Sequence, residues 1–72
     1  MKTDEQGQYI ELGAFLKIKG LATTGGQAKV LIRSGDIKVN GEVETRIKRK
    51  LRQGFVVECK SEKFTINLSD FG

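Results

Sequence analysis

The sequence predicts an α+β fold: two short helices, joined as a helix-turn-helix-like pair, packed on a small, twisted, mainly antiparallel sheet. Three observations predict it. Apolar residues recur at helical spacing from Leu12 onward, Thr24 and Gln27 form a capping box ahead of a second apolar stripe, and after Gly35 the period switches from helical to alternating.

A chain of 72 residues holds one domain. At this size roughly 60% of the unfolded surface is buried, so the core is thin and a large catalytic cavity is not expected. Met1 to Gln8 are polar and aperiodic and read as a flexible tail, with the domain running over 9–72. Leu12, Phe15 and Leu16, with the stem of Lys19, share a helical face. Gly20 can end that helix, so the first helix is expected at about 11–19. The Thr24 hydroxyl can accept the N–H of Gln27, whose amide can reach back to the N-cap N–H. Ala28, Leu31 and Ile32 then form the stripe and Gly35 follows, which places the second helix at about 25–34. So short a connection makes the two stripes share one core.

Ile37 and Val39 point one way and Lys38 and Asn40 the other. Asn40-Gly41 suits a type I′ hairpin turn, because both residues accept positive φ, and Val43 with Thr45 continues the partner strand. Phe55, Val57 and Cys59 form another alternating run, and Phe64, Ile66 and Leu68 the last.

Charge and composition narrow the function. The net charge is +4, yet residues 17–52 hold ten basic side chains against three acids, while the flanks hold three against six. Such segregation suits a polyanion-facing surface with an acidic far side; the alternative is an ordinary basic surface. There is no histidine, and the single cysteine, Cys59, lies on an apolar alternating face, so neither a zinc site nor a nucleophile is expected. No metal, cofactor or small-molecule substrate is implied. No apolar run reaches membrane-spanning length and the N-terminus lacks a signal peptide's apolar core, so a cytoplasmic protein is expected.

Lys29 and Arg33 stand four apart on one face of the second helix, where like charges cost a few tenths of a kcal/mol. They read as a phosphate-contacting face or as a tolerated solvated one. Lys17 and Lys19 end the first helix, and Lys38 follows on the strand after Arg33. Gly25 and Gly26 occupy the first turn of the second helix, where each costs about 1 kcal/mol relative to alanine. Either an anion approaches the backbone there or the helices pack closely at the turn. Arg46, Lys48, Arg49, Lys50 and Arg52 place five cations in seven residues, with Ile47 and Leu51 spaced to anchor the segment to the core.

Ile10-Glu11-Leu12-Gly13-Ala14-Phe15-Leu16-Lys17, then Thr24-Gly25-Gly26-Gln27-Ala28-Lys29, Leu31-Ile32, Gly35 and Ile37-Lys38-Val39-Asn40-Gly41 together resemble the RNA-binding domain of the ribosomal protein S4 type, the alpha-L motif. The Gly-Gly pair and the Arg46 to Arg52 run look like its small stand-alone bacterial members, the YbcJ/YaaA type. The resemblance implies RNA binding through the two helices, and by position it points to Lys17, Lys29, Arg33, Lys38 and the Arg46 to Lys50 cluster. Many members carry arginine where this chain has Glu11 and Gly25, which removes two expected phosphate contacts.

The expectation is therefore a non-catalytic, monomeric RNA-binding protein for structured ribosomal or transfer RNA. Shape and phosphate contacts dominate, because no interleaved surface aromatics are available to stack single-stranded bases. A protein-interaction adaptor, docking for example on a ribosomal protein, is the runner-up. Duplex DNA binding comes third, for want of side chains suited to base edges.

Overall fold

The computed structural model describes residues 2–71. Two antiparallel sheets flank a helix pair in the chain order β1 (Lys2–Asp4), β2 (Gly7–Glu11), α1 (Leu12–Ile18), α2 (Gly25–Arg33), β3 (Ile37–Val39), β4 (Glu42–Val43), β5 (Lys50–Leu51), β6 (Val56–Cys59) and β7 (Glu62–Thr65), with a final 3-10 turn at Leu68–Asp70. The larger sheet has the order β4-β3-β6-β7 and the smaller β1-β2-β5. The α+β class, the helix pair and the antiparallel pairing are as the sequence predicts.

The second sheet is a correction. Residues 2–8, read from sequence as a flexible tail, form a hairpin in which Lys2, Thr3 and Asp4 pair with Tyr9, Gln8 and Gly7. β2 then pairs with β5 through Ile10↔Leu51 and Glu11↔Lys50. β1 is exposed apart from half-buried Asp4, so no hydrophobic alternation betrayed it. Met1 of that tail and Gly72 of the expected domain lie outside the described residues.

The core unites Leu12, Phe15 and Leu16 of α1 with Ala28 and Ile32 of α2, Ile37 and Val39 of β3, Leu51, Val57, Cys59, Ile66 and Leu68. Phe15 is fully buried and meets Phe64 and Phe71 edge-on, with ring centroids 6.0 and 5.9 Å away, the geometry favoured by aromatic quadrupoles. Burial pushes the Cys59 thiol up, which fits an inert core residue.

Boundaries shift by a residue or two from those read in the sequence. α1 begins at Leu12 because Glu11 is still strand, and Lys19 and Ser34 are C-caps. The Gln27 N–H donates to the Thr24 hydroxyl (3.2 Å) as expected, but the Gln27 carbonyl oxygen accepts from the N–H and hydroxyl of Thr23, at 2.8 and 2.7 Å, one residue further out than a capping box requires. Asn40 and Gly41 take φ of 53° and 86°, the hairpin turn as read. Asn40 also locks the sheet, its N–H donating to Val56 O and its side-chain oxygen accepting from Val56 N–H. Thr45 and Leu68 lie beyond the strands assigned to them, and Phe55 falls one residue before β6.

Candidate nucleic-acid interface

α1 follows β2 without a loop, and its N-cap, Glu11, makes no side-chain cap bond. The first turn of a helix leaves N–H groups without intrahelical partners. Here the basic segment supplies them: Leu12 N–H donates to Arg49 O and Gly13 N–H to Ile47 O, both at 2.9 Å. Gly13 makes this contact possible, because a Cβ there would sit 2.6 Å from Ile47 Cγ1. The backbone of residues 47–49 is thus tied down against α1, with Ile47 packed on the core and Lys48 exposed.

The consequence is a groove of about 220 Å³ between α1, the start of α2 and this segment, where Lys17, Lys29, Lys48 and Gly25 meet over a floor of Ala14 and Ile47. Among the described residues no hydrogen bond or ion pair engages the side chains of these three lysines. Glu11 also borders the groove, and Lys2 holds its carboxylate at 3.1 Å. A Cβ on Gly25 would meet nothing within 4 Å, and one on Gly26 only the Thr24 hydroxyl at 3.7 Å. Close helix packing therefore does not account for the Gly-Gly pair.

The five-cation run divides. Glu44 takes Arg46 through two bonds of 3.1 Å and also accepts the N–H of Thr45 and Arg46. Arg49 Nε, shielded from water, lies 3.2 Å from Glu44 Oε1, close enough for ion pairing but not aligned as a hydrogen bond, while its guanidinium covers the Phe55 ring at 5.5 Å. Asp4 Oδ2 accepts from Lys50 Nζ at 2.7 Å and Arg52 Nη2 at 2.8 Å. Those two bonds, Arg52's first, hold the Asp4 carboxyl well below the usual carboxylate range, and the bond from Arg46 lowers that of Glu44. Only Lys48 of the five has no acidic partner among the described residues.

The remaining sequence-predicted residues do not join the groove. Lys19 stands 5.9 Å over the Phe71 ring. Arg33 is exposed at the far end of α2. Lys38 lies on the outward face of the larger sheet, directly across from Glu58, because its strand neighbours Ile37 and Val39 face the core. Sequence reasoning missed Gly13, the carbonyls of Ile47 and Arg49, and the acids Asp4 and Glu44. Asp4 is 46 and 48 residues from its partners, beyond any local signal, whereas Glu44, two residues before Arg46, was within reach of one.

Comparison with known proteins places this geometry. The S4 domain family matches residues 4–67. The chain is 43% identical over 49 residues to a protein of Escherichia coli named "Putative RNA-binding protein YbcJ", covering 68% of this chain and 70% of that one. It is 41% identical over 53 residues to a Bacillus subtilis protein named "Probable ribosome maturation protein RlbA", covering 74% and 75%. A match along nearly the whole described fold, with the helix pair and the Asn40-Gly41 hairpin inside it, settles the family: this chain belongs to the S4 domain family.

Proposed function

We propose that this chain is a non-catalytic RNA-binding protein that grips the phosphates of structured RNA, ribosomal RNA foremost, in the groove of Lys17, Lys29 and Lys48. The single observation that carries the reading is the convergence of these three lysines, without a side-chain partner among the described residues and brought from two helices and a loop, beside the Thr24-capped first turn of α2. Lysines on a solvated face spread apart at no cost; here the backbone bonds at Gly13 and Leu12 hold the third against the other two. Gly25 and Gly26 leave the first N–H groups of α2 open to an anion at the groove's edge. The name of the Escherichia coli relative supports RNA as the ligand class, and that of the Bacillus subtilis relative favours the ribosome over transfer RNA. Burial raises the pKa of the Cys59 thiol, which supports a role without thiol catalysis.

Val30, 68% exposed on α2 beside Leu21 and Leu31, favours a second reading, a protein-docking adaptor. A titration against structured RNA, duplex DNA and single strands across a salt series separates the two. The RNA reading expects tightest binding to structured RNA, with a steep salt slope. No affinity for RNA at low salt, with the fold intact, rejects it in favour of the adaptor.

A further inference from the structure

We propose that Lys50 and Arg52 form a second phosphate seat, which the carboxylate of Asp4 fills in the free chain and from which an RNA phosphodiester displaces it. This rests on the RNA-binding reading above and adds to it a gate. Lys50, on β5, and Arg52, just beyond its end, flank fully buried Leu51, and both side chains reach the same oxygen of Asp4. Their positions come from the fold rather than from Asp4. The pairing of β2 with β5 sets the register, the Tyr9 ring lies 5.0 Å from Lys50 Nζ and 5.5 Å from the Arg52 guanidinium, and Arg52 Nη1 donates to Gly7 O at 3.4 Å.

Two cations held together in this way repel, and an anion between them relieves the repulsion. Asp4 does so with a single oxygen, Oδ2, because its Oδ1 accepts from Gln6 N–H at 2.9 Å. A phosphodiester brings two free oxygens, so one is available to each cation. Beside the pair opens a cleft of about 660 Å³ bordered by Glu5, Gln6, Arg49 and Phe55, which gives a backbone room to enter with one carboxylate, Glu5, at its rim. β1, which carries Asp4, is an edge strand that pairs only with β2, and Lys2 and Thr3 are exposed. Swinging it aside uncovers little apolar surface, so the gate opens without disturbing the core.

The test compares the full-length chain with Asp4→Asn, with Asp4→Asn/Lys50→Gln/Arg52→Gln, and with Glu62→Gln, which removes one acid elsewhere. A stem-loop RNA is titrated across a salt series. Asp4→Asn is expected to bind about three- to ten-fold tighter at about 0.1 M salt with the salt slope unchanged, because the same phosphate is seated without a carboxylate to displace. The triple variant loses that gain and Glu62→Gln lacks it. No gain in Asp4→Asn, an equal gain in Glu62→Gln, or a gain that survives loss of the two cations overturns the proposal. In a second arm, inorganic phosphate is titrated and followed by amide NMR at Tyr9 and Lys50 to Arg52. Asp4→Asn is expected to respond at lower phosphate than the unaltered chain, and silence at those amides overturns the seat. RNA binding absent from every variant, with the phosphate response intact, sinks the RNA reading instead and leaves the seat standing. Asp4→Ser, whose hydroxyl can keep the bond to Gln6 N–H, serves both arms if the amide spectrum of Asp4→Asn shows a loosened hairpin.

Discussion

The groove of Lys17, Lys29 and Lys48 and the run from Arg46 to Arg52 share one residue and differ in what surrounds their charge. In the groove the cations have no acidic partner among the described residues and converge on open space. Along the run, Glu44 engages two cations and Asp4 two more, so four of the five side chains of the densest basic stretch are held by acids, although two carboxylates offset only part of its charge. Charge density along a chain and charge presented to a ligand are separate quantities. Electrostatic attraction for a polyanion follows the second, because a phosphate competing with a resident carboxylate gains only the difference. Lys48 belongs to both regions. Its neighbours' carbonyls cap α1, and this turns a residue of the run into a wall of the groove.

The contrast breaks first at the groove itself. Lys29→Glu/Lys48→Glu is expected to weaken RNA binding on the order of a hundred-fold and flatten the salt slope by about 2, while exposed sites such as these shift stability by less than about 0.5 kcal/mol in an unfolding titration. The next effect comes through the joint. Gly13→Val places a side chain onto Ile47 Cγ1 and is expected to cost about 1–3 kcal/mol of unfolding free energy, and to weaken RNA binding as well because Lys48 moves with the loop. A clash-free Gly13→Val of unchanged stability means that residues 47–49 are not held as described.

Smaller changes sharpen the comparison. Gly25→Ala has open space for its Cβ, so stability is expected to rise by up to about 1 kcal/mol while RNA affinity falls a few-fold. If stability rises and binding does not change, the glycines do not receive an anion. The ties of the run are also acid-sensitive. Asp4 and Glu44 have lowered carboxyl values when folded, so their contribution is complete above the ordinary carboxylate range, near pH 4, and is lost as pH falls below it through the folded values. Thermal melts from pH 6 downward are expected to show a steeper loss for the unaltered chain than for Asp4→Asn/Glu44→Gln.

Most of the fold was legible because it rests on local signals. The Thr24 cap, the Asn40-Gly41 turn and the switch of period at Gly35 each act within a few residues, and they locate both helices and the larger sheet. The smaller sheet was not legible. β1 buries no apolar side chain, and β5 is two residues long and pairs with β2, far back along the chain. The site was half legible for the same reason. Residue type and helical spacing nominated Lys17 and Lys29, but the sorting of Arg46, Lys48, Arg49, Lys50 and Arg52 into held and available cations depends on Asp4 and on the bend that brings Ile47 to Gly13. Lys38 shows the converse: chain proximity to Arg33 suggested a shared surface, and the pleat of β3 turned it toward Glu58 instead.

Two charge-matched variants measured side by side separate the groove from the run most directly. Lys17→Gln/Lys29→Gln/Lys48→Gln and Arg46→Gln/Arg49→Gln/Lys50→Gln each remove three positive charges, so long-range attraction falls equally in both. The salt dependence of binding to one stem-loop RNA is predicted to flatten by about 2 or more in the first and by less than about 1 in the second. Equal flattening in the two, or the larger change in the second, would contradict the claim that the groove carries more of the RNA contact than the paired run.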